Sequence, residues 1–229
     1  MTAGIPRAAE SEPASRTEQA IVEAGRDLLA EGGLDGLSMR AVAGRVGISA
    51  TAIYNYFDNK QALVDRIVLS GWSRFESYLR DAVADRDRGS LERLYALGEA
   101  YIRFALENQE YFKVLFTMRS ERQREIEELP AEGGYLLLRE AVEEAMDAGR
   151  LRRADVDLVA LYLWTHVHGL VTLFLACRVG SECCDDGGEP DPVELFGRFR
   201  SLMSDGLRAV GTPGRPASDG RDGGREERA

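Results

Sequence analysis

Apolar residues along most of this chain recur at three- and four-residue intervals, the period of an amphipathic helix, and no segment alternates as a strand would. Ile21, Ala24, Leu28 and Leu29 form the first stripe. Ser15-Arg16-Thr17-Glu18 gives it a capping box, and Gly32-Gly33 a stop. Ser38 caps a second predicted helix, Met39–Val46, which Gly47 ends. Ser49 caps a third over 50–57, and Asp58 with Gln61 opens a long fourth over about 59–84. Further helices are expected at about 90–107, 110–118, 133–148, 156–178 and 192–210, with connections at 119–132 and 180–191.

The pattern predicts an all-α fold: a three-helix head over 15–66, a long helix, and a larger helical bundle over 67–211. Residues 1–14 hold scattered acids and two prolines without periodicity, and 212–229 carry Gly, Pro, Asp and Arg but no Leu, Ile or Val. Neither end can bury enough apolar surface to offset its ordering entropy, so both are expected to be a disordered arm and tail.

Two short helices around Gly47, at about 38–57, are the sequence form of a helix-turn-helix. Val42, Val46, Ile48, Ile53 and Phe57 are spaced to pack on the first helix, which leaves polar groups on the outer face. Ser38, Ser49 and Thr51 bring hydroxyls to helix starts, where free N–H groups favour phosphate. Tyr54 and Tyr56, about 200° apart around a helix, cannot both face inward, and their hydroxyls suit phosphates. Asn55 suits backbone or base edge, Ala50 or Thr51 a thymine methyl, and Arg40 and Lys60 flank the pair as ionic anchors.

The net charge of −10 runs against a nucleic-acid partner. Within 38–60, however, Arg40, Arg45 and Lys60 stand against Asp58 alone. The docking face is therefore mildly basic, which implies few phosphate neutralisations and a shallow salt dependence. Lys60 and Lys113 are the only lysines, and the Arg, Gly, Ala and Asp richness reads as a GC-rich bacterial genome. The first residues contain no apolar secretory stretch, and three cysteines, Cys177, Cys183 and Cys184, crowd one late segment. That pattern suits a reducing cytoplasm rather than a disulfide framework. Cys183-Cys184 sit among acids with no cation to lower a thiol pKa and read as plain loop thiols.

The run Gly47-Ile48-Ser49-x-x-x-Ile53-Tyr54-x-Tyr56-Phe57-x-Asn59-Lys60-x-x-Leu63 resembles the TetR family of bacterial regulators. So do Ile21-x-x-Ala24 through Leu28-Leu29 to Gly32-Gly33, and Leu37-Ser38-Met39-Arg40. The resemblance covers about 16–66 and implies that Tyr54 and Tyr56 both lie near phosphates. Many members carry glycine where this chain has Thr51, so operator preferences transfer poorly. Trp164-x-x-x-His168-Gly169 resembles the signature of one C-terminal domain class of the same family. The family dimerises through its last long helices, here 156–178 and 192–210, and Leu195, Phe199 and Leu202 fit such an intersubunit four-helix bundle.

The bundle offers one group of aromatic candidates. Trp164 and His168 share a helix face and, with Tyr101, Phe104, Phe112 and Phe116, read either as lining of an effector pocket or as core packing. His166 and His168 are two apart, where a shared metal ion needs a spacing of four, and no cofactor or metal is expected. No nucleophile elbow, phosphate loop or base–nucleophile pair appears, so no catalytic residue is named and an enzyme is not expected. The uncharged stretch 158–177 is long enough to span a bilayer, but a helix apolar all round is also explained by burial in a bundle, and that is the expectation.

The resulting reading is a cytoplasmic, homodimeric transcriptional regulator, a repressor on a palindromic double-stranded operator, released by a small apolar effector. The alternative is a DNA-binding adaptor that answers to a protein partner.

Overall fold

A computed structural model of the chain describes residues 16–117, 134–176 and 191–207. The expected arm and tail, the connections at 119–132 and 180–190, Ser15 of the capping box and the three cysteines lie outside the described residues. Within them the chain forms eight α-helices and no strand: α1 Arg16–Gly36, α2 Met39–Val46, α3 Lys60–Val83, α4 Leu91–Glu107, α5 Gln109–Phe112, α6 Gly134–Asp147, α7 Val156–Ala176 and α8 Pro192–Leu207. The expected all-α architecture is the observed one.

The head follows its local signals closely. The regular part of α1 stops at Gly33, whose φ of 65° and ψ of −162° break the helix before a last turn to Gly36. Ser38 accepts from the Ala41 N–H at 3.2 Å, and Gly47, at φ 81°, returns its N–H to the Ala43 carbonyl. Val42, Ile53 and Phe57 are buried against Ile21, Leu29 and Leu63, with Val46 and Ile48 packed on their rim.

The third predicted helix is instead a single 3-10 turn, Ala52–Asn55. Its N–H groups bond three residues back, Ala52 to Ser49 at 3.0 Å and Tyr56 to Ile53 at 3.0 Å; Phe57 alone reaches four back, to Ile53 at 3.1 Å. Thr51, Ile53, Tyr54, Asn55 and Tyr56 all lose rotamer freedom or compete for backbone groups in an α-helix. With only Ile53 and Phe57 anchored, packing does not supply the missing propensity. Asn59, rather than Asp58, caps α3, accepting from Ala62 N–H at 2.9 Å, while Gln61 turns to Asp65. The expected helix at 110–118 is a short α5 that widens into a π turn, Lys113–Thr117.

α3 serves both ends of the molecule. Leu63 and Ile67 complete the head, and Trp72, Phe75, Leu79 and Val83 enter the core of the body. α4 runs through that core, burying Leu94, Leu97, Tyr101, Ile102, Phe104 and Ala105, each large side chain worth about 1.5–3 kcal/mol of transfer free energy. α7 buries Val159, Ala160, Val167, Leu170 and Val171, while Leu158, Leu161, Tyr162, Leu173 and Leu175 stay exposed. By length and composition α7 is apolar enough to cross a membrane, and one face of it is spent inside the bundle. Leu195 and Phe196 of α8 are also buried in the same subunit, Phe199 is exposed, and the Leu202 side chain lies outside the described residues. Leu195 is thus a core residue of this subunit rather than an interface candidate.

Candidate functional site

Two sites emerge, at opposite ends of α3. In the head, Ser38, Arg40, Ser49, Ala50, Thr51, Tyr54, Asn55 and Tyr56 are all exposed and share the surface around α2 and the 3-10 turn. Tyr54 and Tyr56 are 53% and 40% exposed, so the change from helix to 3-10 turn turns both rings outward rather than one. Ser49 Oγ accepts from the Ala52 N–H at 3.0 Å, which fixes the start of this turn.

The cations of this surface differ in availability. Arg40 makes no ion pair among the described residues. Arg45 reaches back to Glu31 of α1 at 3.1 Å, an exposed pair that screens part of its charge. Lys60 is half-buried, and its ammonium donates to the Leu34 carbonyl. The second lysine, Lys113, donates to the Ala30 carbonyl. Both lysines therefore sit at the C-terminal end of α1, where carbonyls lack helical partners and the dipole favours a cation. Composition marked the two lysines as rare but not that one helix end gathers both.

In the body, the six aromatic candidates fall into one cluster around Phe116 of the π turn. His168 lies against Phe112 and Phe116, with centroids 5.7 Å apart in each case, and Trp164 lies 6.5 Å from Phe116. Trp164 and His168, a helical turn apart, meet through Phe116 between them. Tyr101 packs on both Phe112 and Phe116. Phe104 is fully buried behind the others, in edge contact with Phe75 and Tyr78.

Polar groups thread the cluster. The Tyr101 hydroxyl lies 2.7 Å from His168 Nδ1. Burial pushes the Tyr101 phenol well above its usual range, and a hydrogen bond with Trp164 pulls weakly the other way. Burial likewise pushes His168 below the ordinary imidazole value. Both groups are therefore uncharged at neutral pH, and the His168 tautomer sets which of the two donates across this contact. His166 faces outward, its Nδ1 2.7 Å from the Tyr162 carbonyl and its ring tilted against Tyr162. The two histidines thus occupy different sides of α7, and no group of three metal-ligating residues gathers among the described residues.

Trp72 and Phe75 of α3 and Tyr135 of α6 belong to this cluster as well, touching Phe116 or Trp164. The i, i+3 pair Trp72–Phe75 was the available signal, masked because the long helix reads as a linker from sequence.

Comparison with known proteins follows this two-part layout. Residues 21–67 match the family model for bacterial regulatory proteins of the tetR family, and residues 94–186 match that for the tetracyclin repressor-like C-terminal domain. The chain is 24% identical over 110 residues to the HTH-type transcriptional regulator YobS of Bacillus subtilis, covering 48% of this chain and 56% of that protein. It is 45% identical over 47 residues to the class A tetracycline repressor from transposon 1721 of Escherichia coli, covering 20% of this chain and 22% of the repressor. The matched stretches thus span about half or less of these relatives. A solved protein of unknown function from Rhodococcus sp. RHA1 superposes with a TM-score of 0.68 at 25% identity, over 89% of this chain and all of that one. With the head matched by one family model, the body by another, and the whole fold shared, the chain is similar in both its parts to the tetR family of bacterial regulatory proteins.

Proposed function

We propose that this protein is a cytoplasmic, ligand-responsive transcriptional repressor that binds a palindromic operator as a homodimer. Two heads, each presenting Ser38, Arg40, Ser49–Thr51, Tyr54–Tyr56 and Lys60, read neighbouring major grooves about 34–36 Å apart. Exposed Leu161, Tyr162, Leu173 and Phe199 on α7 and α8 support pairing of those helices across a two-fold axis. Trp164-x-x-x-His168-Gly169 marks the effector side of the body, with Tyr101, Phe104, Phe112 and Phe116.

A single observation carries the ligand response. The π turn Lys113–Thr117 holds Phe116 inside the aromatic cluster and Lys113 on the Ala30 carbonyl of α1. A small, mostly apolar effector that displaces the Phe116 ring shifts this turn, and with it the end of the helix on which the head is built. The ligand acts only through its different affinity for the two head spacings.

Fluorescence anisotropy on palindromes selected from genomic fragments tests the docking face. The Tyr54→Ala, Lys60→Ala double variant is expected to bind at least about tenfold more weakly. Because Lys60 also holds Leu34, Arg40→Ala serves as the fold-neutral companion. Wild-type affinity in both variants means that the face is wrong. A co-purifying protein, with no small-molecule stabiliser, would favour the adaptor reading instead.

A further inference from the structure

The aromatic cluster carries a chemical bias that its apolar character conceals. Its walls are uncharged rings: Tyr101, Phe112 and Phe116 lie against His168, and Trp164 lies against Phe116. The two cation–π contacts among the described residues lie elsewhere, on Tyr111 and Tyr95. Burial alone acts on His168, and no charged side chain shifts Tyr101. In the tautomer whose Nδ1 accepts from Tyr101, the ring offers one donor, Nε2–H.

A second polar group sits one turn further along α7. Four residues advance a helix by about 40° beyond a full turn, so Thr172 lies on the same side as His168. Its Oγ1 is shielded from solvent yet has no hydrogen-bond partner. A helical threonine ordinarily satisfies its hydroxyl on the carbonyl of the preceding turn. An orphaned buried hydroxyl costs about 1–3 kcal/mol, so it calls for an explanation.

We propose, building on the effector-site reading above, that this side of α7 receives an uncharged apolar molecule bearing one carbonyl or hydroxyl oxygen. His168 Nε2–H donates to that oxygen, and the Thr172 hydroxyl completes its hydrogen bonding. A ligand carboxylate would enter an aromatic site with no cation against its rings among the described residues, and burying an unpaired ion is costly. Ketones, alcohols and phenols are therefore accepted, and the acids of matching size are rejected.

The test uses the full chain with probes that differ only in their polar end: 2-decanone and 1-decanol against decanoate and decane, and 2-naphthol against 2-naphthoate. Thermal shift and quenching of tryptophan fluorescence report binding. The oxygenated neutral probes are expected to bind at least about tenfold more tightly than the carboxylates or the alkane. Thr172→Val keeps the shape and removes only the hydroxyl. It is expected to fold at least as stably as the parent and to lose about five- to tenfold in affinity for the neutral probes. Equal or tighter carboxylate binding overturns the proposal while leaving the effector site standing. Neutral binding unaffected by Thr172→Val overturns the assignment of the second contact. If no probe binds and Phe116→Leu leaves operator affinity unchanged with and without them, the cluster is core, and the effector-site reading falls with it.

Discussion

The hydroxyl of Tyr101 on α4 is hydrogen-bonded to Nδ1 of His168 on α7 across 2.7 Å, a polar link inside an otherwise aromatic cluster. Tyr101→Phe removes the hydroxyl and leaves a shielded ring nitrogen unpaired, which should lower stability by about 1–3 kcal/mol. Denaturant midpoints at pH 7.5, compared with wild type, measure this.

The same pair sets a pH dependence. Burial lowers the folded pKa of His168 below the ordinary imidazole value of 6.5, so below that pH the unfolded chain takes up a proton that the folded chain refuses. The contribution is therefore intact above pH 6.5 and is lost progressively as pH falls toward the folded value. His168→Gln should lose less stability than wild type between pH 7 and about pH 5. Parallel curves for the two proteins would refute this.

Gly47 makes the turn between α2 and the 3-10 segment at a φ of 81°. An added Cβ meets no neighbour there, so the cost of substitution is backbone strain alone. Gly47→Ala should cost about 1–2 kcal/mol and weaken operator binding by misdirecting Tyr54 and Tyr56. Chemical denaturation and anisotropy separate the two effects.

Gly98 on α4 lies directly under the Phe196 ring of α8, where any Cβ would overlap the ring. Gly98→Ala must push α8 outward, an overpacking cost of about 1–3 kcal/mol. Since α8 is proposed to build the subunit contact, light scattering should also show a weaker dimer. An unchanged dimer with a lowered melting temperature would place that contact elsewhere.

Lys113→Met keeps the aliphatic stem but cannot donate to Ala30. Operator affinity without ligand should stay within about threefold of wild type, while ligand-induced release should shrink by at least as much. Full release by the variant would show that Lys113 does not carry the signal.

Salt titration checks the electrostatics of docking. With Arg45 tied to Glu31, each head offers chiefly Arg40 and Lys60, so about four phosphates are neutralised per dimer. The slope of log affinity against log salt should be no steeper than about −4.

What the sequence alone determined is local. The all-α class, the limits of α2, its Ser38 cap and its Gly47 exit follow from residues within a turn of one another, and so does the grouping of Ser38–Lys60 on one surface. Tertiary packing decided the rest. Residues 50–57 collapse to a 3-10 turn because only Ile53 and Phe57 find a core. Leu195 is consumed inside its own subunit, and Phe116 packs against both Trp164 and His168. Lys60 and Lys113 meet one helix end from positions 26 and 83 residues away. Such contacts depend on how helices dock, and no periodicity within a single helix encodes them.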